Sequence, residues 1–414
     1  MPDIWSASRR QPSVGESSRP EGPSLDWLIH PTGREAFFAE YWERSTLVVH
    51  REQPEYFSGL LTLDEVDHVL TTMGRQYPEV ILKDASRDLT AQDYTTDGAT
   101  LDVARVCQLF GEGSTITLAY LDNVLPKLTR FCRSLESEFS CPLQTNVYLT
   151  PPAAQGARTH YDTHDVFVMQ VAGSKEWTIY NTPLELPLSG QQFNAAAHST
   201  GPPTLQFTLI AGDVAYVPRG ALHEARSTNE ISLHITAGVL RYTWADLLLE
   251  FVAGASLNDA VLRKALPPGF ARSEFDRTAA RKTFGELLQR IAAYGDFDRA
   301  LDHFVDEFLV SCPPLLRGQL SQVAGQEHLT LDGTVAVREA VIWRIETEDD
   351  SMVIRCANRR IKFPTHAGEA VRFALNQRRF VVRDLPPVLN DEGKLALVRR
   401  LIREGFLMIV AGGR

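Results

Sequence analysis

Short apolar runs separated by Gly and Pro occupy the central part of the chain. One run ends in a turn at Gly173 and another follows it at once, which predicts two strands joined by a tight connection. The runs are rich in Val, Ile, Leu and Thr, as strands are. Many short strands with this punctuation are typical of a double-sheet jelly roll. The predicted strands are 166–171, 176–180, 205–210, 214–217 and 231–239.

Helical spacing of apolar residues replaces this pattern on both sides of the strand-rich part. The helices predicted from it are 34–43, 63–73 with Thr62 as its cap, 284–291 and 300–309, and a strand is predicted at 46–50. We therefore expect a mixed α+β fold. In it, a largely helical buttress from residue 25 precedes a barrel core at about 144–242, and a helical region covers 244–328.

The last part of the chain, 329–414, has a pattern of its own. Strands near 341–345 and 352–356 precede two helices, 367–376 and 391–405, the second capped by Asn390. This order predicts a winged-helix-like domain. Residues 341–414 contain fourteen Lys and Arg against nine Asp and Glu, whereas the whole chain has a net charge of −10. The arginines are dispersed as on an ordinary solvated face, so we do not expect DNA binding.

Composition limits the class of protein further. The chain has 414 residues, of which 44% are hydrophobic and 23% charged, as is usual for a globular protein of more than one domain. Residues 1–24 are rich in Ser, Pro, Arg and Glu without an apolar core, which predicts a disordered tail and no signal peptide. No run approaches the ~20 apolar residues of a membrane span. Five cysteines without a CxxC pair favour a reducing cytoplasm.

His160 and Asp162 are the residues that most directly indicate chemistry. If the segment is a strand, alternation places both side chains on one face, where they could bind a metal ion. His223 follows the bend at 218–220 and could supply a third ligand. Two histidines and one carboxylate are the ligands of non-haem Fe(II) oxygenases. The alternative is that this His-x-Asp tripeptide occurs by chance, since a lone histidine is usually a hydrogen-bonded core or surface residue.

Two other histidines compete for the metal. His164 has the same parity as His160, but same-face residues lie about 6.5 Å apart along a strand, so three in a row cannot reach one ion. We therefore expect His164 to pack beside the site without being a ligand. His234 lies in a later strand and is expected to be structural.

With these residues in place, 25–243 resembles the catalytic domain of the JmjC-type cupin oxygenases, specifically the ribosomal-oxygenase-like (cupin-4) branch. The resemblance includes the 63-residue gap between His160 and His223, and the segment 35–49. It implies that the core is a double-stranded β-helix, that Fe(II) binds at the three ligands, and that 2-oxoglutarate and O2 are co-substrates. It also implies that Lys175 binds the distal carboxylate of 2-oxoglutarate, that Asn146 lies beside it, and that 244–328 forms a homodimer.

The resemblance implies a dioxygenase that hydroxylates an amino-acid side chain of a protein or peptide, with succinate and CO2 as co-products. For this branch of the family, the substrate could be a ribosomal protein. Two alternatives remain open at this stage. The same chemistry could act on a small molecule or a biosynthetic precursor peptide, because pocket walls carry no sequence signature. A non-catalytic cupin and winged-helix regulator is the other, although such sites tend to lose a ligand. Demethylation of methyl-lysine ranks below hydroxylation.

Overall fold

The computed structural model describes residues 22–410, and these form two units. The first contains the described residues up to Tyr120 together with Thr145–Ala237, and the second contains Leu121–Gln144 together with the described residues from Gly238 onwards. The predicted tail, 1–24, lies outside the described residues except for its end, where Ser24 caps the first helix by accepting the Trp27 N–H. The division into domains proposed from the sequence stays a prediction.

Two antiparallel sheets and a set of preceding helices make up the first unit, with two strands continuing by two residues into the second. The helices are α1 (Leu25–Ile29), α2 (Arg34–Ala36), α3 (Leu63–Thr72) and α4 (Val103–Gly111). The strands are β1 (Leu47–Val49), β2 (Val80–Lys83), β3 (Thr115–Ala119), β4 (Leu143–Thr150), β5 (Asp165–Ala172), β6 (Ser174–Ile179), β7 (Leu205–Ile210), β8 (Val214–Val217), β9 (His223–Ser227) and β10 (Ser232–Val239). The larger sheet has the order β1-β8-β5-β10-β4-β3-β2 and the smaller one β7-β6-β9.

A shared apolar core holds the two sheets face to face. Val166 and Val168 of β5 pack with Trp177 of β6, Leu209 of β7 and Ala215 of β8, all of them buried. β5 is buried along nearly its whole length because β8 and β10 flank it. The predicted strands and the mixed α and β composition are therefore confirmed, as is the double-sheet core.

Gly173 makes the tight connection between β5 and β6 possible. Its φ is +62°, and a Cβ atom there would lie 1.9 Å from the carbonyl oxygen of Ile231. Only glycine fits such a position without moving the neighbouring backbone. The turn predicted at this residue is confirmed.

The predicted helix 34–43 differs in form. It begins as α2 and widens into a π-helical turn, Phe37–Tyr41, in which the Trp42 N–H donates to the Phe37 carbonyl. The wider turn places Phe37 and Trp42 on the same side, where both rings pack against Tyr216 of β8. By contrast, α3 begins with the expected Thr62 cap, which forms a capping box with Glu65.

Helices followed by small sheets form the second unit. The helices are α5 (Pro126–Phe139), α6 (Trp244–Asn258), α7 (Arg277–Tyr294), α8 (Phe297–Ser311), α9 (Gln319–Gly325), α10 (Gly368–Asn376) and α11 (Asp391–Arg403). The strands are β11 (Thr334–Val337), β12 (Arg344–Glu348), β13 (Ser351–Cys356), β14 (Arg359–Pro364), β15 (Arg379–Val381) and β16 (Leu407–Ile409). They pair as β15-β11-β16 and β12-β13-β14.

Most elements of this unit agree with the sequence pattern, including the Asn390 cap of α11. The strand predicted at 341–345 was displaced: β12 begins at Arg344. Val341 is buried in the core outside any strand, and Trp343 packs edge-on against Phe406. The apolar residues that suggested a strand therefore pack into the core from an irregular segment. Across 22–410, no helix is long and apolar enough to span a membrane.

Candidate metal centre

His160, Asp162 and His223 converge in the first unit. The Nε2 atoms of His160 and His223 lie 3.9 and 3.8 Å from the two carboxylate oxygens of Asp162. One ligand atom from each of the three residues lies within 4.8 Å of the others. Donors that each lie about 2.1 Å from one divalent ion are at most about 4.2 Å apart, and both distances to the Asp162 carboxylate are within that limit.

The segment carrying the first two ligands is not the regular strand that alternation predicted, because β5 begins only at Asp165. His160 instead forms an isolated antiparallel bridge with His223, in which each N–H donates to the other carbonyl, at 3.1 and 2.8 Å. The Asp162 carbonyl accepts the Gly220 N–H at 3.0 Å. The bend lets the donor atoms of His160 and Asp162 approach more closely than two same-face positions of a strand would.

Gly220 allows the second ligand segment to reach this position. Its φ is +85°, and a Cβ atom would lie 2.2 Å from the carbonyl oxygen of Leu184. The bend at 218–220 therefore requires glycine. Immediately after it, β9 begins with His223.

Backbone carbonyls fix the orientation of both imidazoles. The Nδ1 atoms of His160 and His223 lie 2.8 and 3.0 Å from the carbonyl oxygens of Arg158 and Ala221. A carbonyl can only accept, so Nδ1 carries the proton and Nε2 keeps its lone pair toward the third ligand. The same arrangement supports ligating histidines in metal sites generally.

The charge state also suits a metal. Burial, together with a smaller effect of the neighbouring His160, lowers the pKa of His223 to about 4, so this ring is neutral at pH 7. Burial alone would raise the pKa of Asp162, but the imidazoles of His223 and His160 outweigh it and the net shift is downward. Two imidazoles and one carboxylate are the donor set of the facial Fe(II) sites.

Lys175 lies deeper, on β6. It is 4% exposed, and its Nζ donates to the Thr150 hydroxyl at 3.0 Å. Within 22–410 it forms no ion pair, and burial lowers its pKa to about 7. A buried lysine without a carboxylate partner is rare, and a bound anion would satisfy it.

Two stacked rings lie close to these groups. Tyr148 stacks on His234 with ring centroids 4.7 Å apart and planes 2° from parallel. Burial raises the pKa of Tyr148, with a further contribution from the charge of Asp162. Burial lowers the pKa of His234 well below its usual value, and the charge of Lys175 adds to this. Tyr148 is thus close to the candidate ligands and His234 close to the lysine.

The remaining candidates fall nearby. Asn146 of β4 is half-buried and its side chain hydrogen-bonds Tyr148. His164 is close enough for its charge to affect Asp162 and His223, but it is not among the clustered ligand atoms in the described part of the chain. His234 is buried and stacked, as a structural histidine would be. Its Nδ1 has no hydrogen-bond partner among the described residues.

Tyr161 points away from the centre, between two ligands that point toward it. Its hydroxyl donates to the Gln191 carbonyl at 3.1 Å, and its ring packs edge-on against Phe193 with centroids 5.3 Å apart. The loop between β6 and β7 is thereby attached to the backbone of the ligand segment.

Comparison with known proteins identifies the domain that carries these residues. A family model described as "JmjC domain" matches residues 118–247. A bifunctional lysine-specific demethylase and histidyl-hydroxylase NO66 from Aedes aegypti is 31% identical over 333 residues, which cover 75% of this chain and 52% of that protein. The chain therefore contains a JmjC domain. A second relative of the same name, from Drosophila mojavensis, is 31% identical over 76% of this chain and 38% of its own length. The chain thus spans about half, or less, of the length of these JmjC relatives.

Solved structures agree on the fold. The X-ray structure of E. coli ycfD superposes with a TM-score of 0.52 at 13% identity and covers 92% of this chain and 98% of that one. A structure titled as YcfD, a ribosomal oxygenase from Escherichia coli, in complex with cobalt and succinic acid gives a TM-score of 0.51 at 14% identity, with 92% and 99% covered. At this identity the likeness concerns the JmjC fold alone.

Sequence reasoning missed several residues of this site. It gave no role to Tyr148, although its position two residues after Asn146 on one strand places both on the same face. Nor did it identify Glu224, which follows His223 and binds Thr159, the residue before His160. The only signal for Glu224 was an acidic residue directly after a proposed ligand.

Proposed function

We propose that this protein is an Fe(II)- and 2-oxoglutarate-dependent dioxygenase that hydroxylates an amino-acid side chain of a protein or peptide. One observation carries the proposal: a triad of two oriented imidazoles and a carboxylate occurs in the same barrel as a buried lysine that has no acidic partner among residues 22–410. A metal site alone would leave the buried ammonium unexplained. A carboxylate-bearing co-substrate that also reaches the metal accounts for both.

The residues fit Fe(II). Neutral imidazole and carboxylate suit this ion, and three protein ligands leave positions open. Iron bound there would supply oxygen activation coupled to the oxidation of 2-oxoglutarate to succinate and CO2. His160, Asp162 and His223 would hold the ion, with Nε2 of each histidine as donor.

The protein's own contribution is to bind and orient. Lys175 binds the distal carboxylate as a buried point charge, and the bound anion favours its ammonium form. Tyr148 and Asn146 line the space between the lysine and the ligands and restrict how the co-substrate lies. The apolar surroundings, including Trp177, exclude water and strengthen the charge pairing.

The expected substrate is a polypeptide. The JmjC relatives are named as lysine-specific demethylases and histidyl-hydroxylases, and the structural neighbour as a ribosomal oxygenase. Those names support a protein side chain, such as one of a ribosomal protein, as the target of hydroxylation here. We rank hydroxylation first because it needs only oxygen insertion into a C–H bond, whereas demethylation needs a methylated substrate as well. The five free cysteines, four of them buried, support a reducing compartment such as the cytoplasm.

Succinate formation tests the proposal. Fe(II)-loaded protein is supplied with 2-oxoglutarate and air, with and without a peptide fraction from cell extract. His160→Ala should abolish turnover, and Lys175→Ala should weaken 2-oxoglutarate binding about ten- to hundredfold through loss of a charge-assisted hydrogen bond. His68→Ala on α3 and Lys362→Ala on β14, both at exposed positions, are the controls. No turnover and no 2-oxoglutarate binding by the wild type would reject the enzyme and favour a regulator.

We also propose that α6 and α7 form a homodimer interface with a second copy of the chain. Neither helix has a buried residue, and the exposed large side chains include Leu249 at 71%, Leu257 at 73% and Tyr294 at 77%. Apolar surface of this extent usually marks an interface. Light scattering during size-exclusion chromatography should give a dimer mass for the wild type and a monomer mass for Leu249→Asp. A monomeric wild type would reject the interface.

For 329–414 we propose a winged-helix-like module that contacts protein and does not bind DNA. Its arginines are largely engaged: Arg359 binds Glu404, Arg360 binds Glu348, and Arg383 binds Asp332. Paired arginines offer little charge to phosphates. DNA affinity that falls steeply with salt would contradict this assignment.

A further inference from the structure

The side chain of Glu224 connects the two segments that carry the histidine ligands. One carboxylate oxygen accepts the Thr159 hydroxyl at 2.6 Å, and the other accepts the Tyr180 hydroxyl at 2.6 Å. The amide of Gln155 donates to the first oxygen at 3.4 Å. Distances of 2.6 Å lie in the range of charge-assisted hydrogen bonds from hydroxyl to carboxylate, which are about twice as strong as neutral ones.

The positions of these partners relate them to the metal ligands. Thr159 immediately precedes His160, and Glu224 immediately follows His223. Tyr180 directly follows β6, and its N–H donates to the Leu222 carbonyl at 2.8 Å. The Glu224 carboxylate therefore links three backbone segments directly beside His160 and His223.

Backbone hydrogen bonds alone hold the segment around His160 weakly. His160 and His223 share an isolated bridge, and residues on either side of His160 belong to no strand. A metal site tolerates ligand displacements of only about 0.2 Å. The segment with His160 therefore needs a further restraint, and the Thr159–Glu224 bond is the side-chain contact directly beside the bridge.

We infer that Glu224 is a positioning residue, which holds Thr159 and Tyr180 so that His160 and His223 stay at metal-binding distance from Asp162. The residue acts through the backbone and touches no reacting atom. This inference rests on the proposed metal site.

Cobalt(II) binding, followed by visible absorption of the bound ion and accompanied by thermal unfolding, tests the inference on the full chain. Glu224→Gln should bind Co(II) about tenfold more weakly than the wild type, as expected when a group that orients a ligand is lost. Succinate formation by the Fe(II)-loaded variant should recover at saturating metal, because only metal affinity is impaired. A general loss of structure would not recover in this way.

Matched variants separate positioning from folding. Thr159→Val removes one of the two hydroxyl bonds and should weaken Co(II) binding, whereas Thr159→Ser keeps the hydroxyl and should bind as the wild type does. Glu176→Gln, exposed on the neighbouring strand β6, is the charge control. If Glu224→Gln does not fold, the Thr159 pair decides the question.

The outcomes are distinguishable. If the wild type binds Co(II) and Thr159→Val or a folded Glu224→Gln binds it equally well, this inference is overturned and the metal site stands. If the wild type does not bind Co(II), the metal site is rejected and the inference with it.

Discussion

The charge of Lys175 depends strongly on its surroundings. In water a lysine is almost always protonated at pH 7, but burial brings the pKa of this one down to about 7. The folded protein with an empty pocket therefore holds a half-charged amine against a single hydroxyl. If the co-substrate carboxylate binds at Lys175 as proposed, it would restore the full charge, and binding at neutral pH would be coupled to proton uptake.

Replacement of Lys175 by Met should stabilise the protein in the absence of metal and 2-oxoglutarate, in a pH-dependent way. The folded pKa lies below the unfolded one, so the unfolded state binds more protons between about pH 7 and 10 and wild-type stability rises with pH in that window. The advantage of Lys175→Met should be full below pH 7 and shrink toward pH 10. Urea unfolding across this range measures it.

A control and a contradicting result are available for this prediction. Lys282→Met, at an exposed site of α7, should show no such pH-dependent difference from the wild type. A constant difference between Lys175→Met and the wild type from pH 6 to 10, as a plain packing effect would give, would show that the ammonium is not destabilised in the folded state.

At the scale of elements, a buried ionic network joins β5, β8 and the π-helical segment. Asp165, fully buried at the start of β5, accepts hydrogen bonds from the Tyr216 hydroxyl at 2.7 Å and from the Arg219 guanidinium at 2.9 Å. Arg219 also binds Glu43, and the Glu43 N–H donates to the Tyr216 hydroxyl. A residue of this network thus flanks each ligand-bearing segment: Asp165 follows Asp162, and Arg219 precedes His223.

Arg219→Met should lower the free energy of unfolding by roughly 3–5 kcal/mol, because it leaves the Asp165 carboxylate buried without its cation. The exposed pair of Arg34 and Asp26 provides the comparison, since Arg34→Met should cost no more than about 1 kcal/mol. Urea denaturation of the three proteins measures both effects. Equal losses in the two variants would mean that the network contributes no more than a surface pair.

Local pattern was enough to predict elements but not the contacts between them. Short apolar runs located β5 to β8 and β10 but not β9, and the types of His160, Asp162 and His223 indicated a metal. The sequence could not show that β5 starts only at Asp165, because that depends on the bridge between His160 and a residue 63 positions away. The stack of Tyr148 on His234 and the bonds of Glu224 depend on long-range register in the same way.

At the scale of the whole molecule, each unit is assembled from two separate parts of the chain. Helix α5 belongs to the second unit, although it precedes the barrel strands β5 to β9 in sequence. Its buried Arg133 binds Glu136 and donates to the Pro313 carbonyl, and the Cys312 thiol lies 3.7 Å from Glu136. Sequence composition gave no sign of this, because α5 reads as part of the buttress.

A chain that ends at residue 243, the boundary suggested by the family resemblance, should therefore be less stable than the full chain. The truncation removes the partners of α5 around Cys312 and leaves its buried ion pair without them. Soluble yield and the midpoint of urea unfolding, compared with the full chain, check the expectation. An unchanged midpoint would mean that α5 does not depend on the later helices.

The bridge between His160 and His223 has a consequence for the order of events during synthesis. His160 and Asp162 leave the ribosome early, whereas His223 follows only after strands β5 to β8 have been made. Closing the intervening segment costs conformational entropy that the paired strands must first offset. The nascent chain consequently could not present all three proposed donors until the barrel has closed, so metal capture through this triad would have to follow barrel closure.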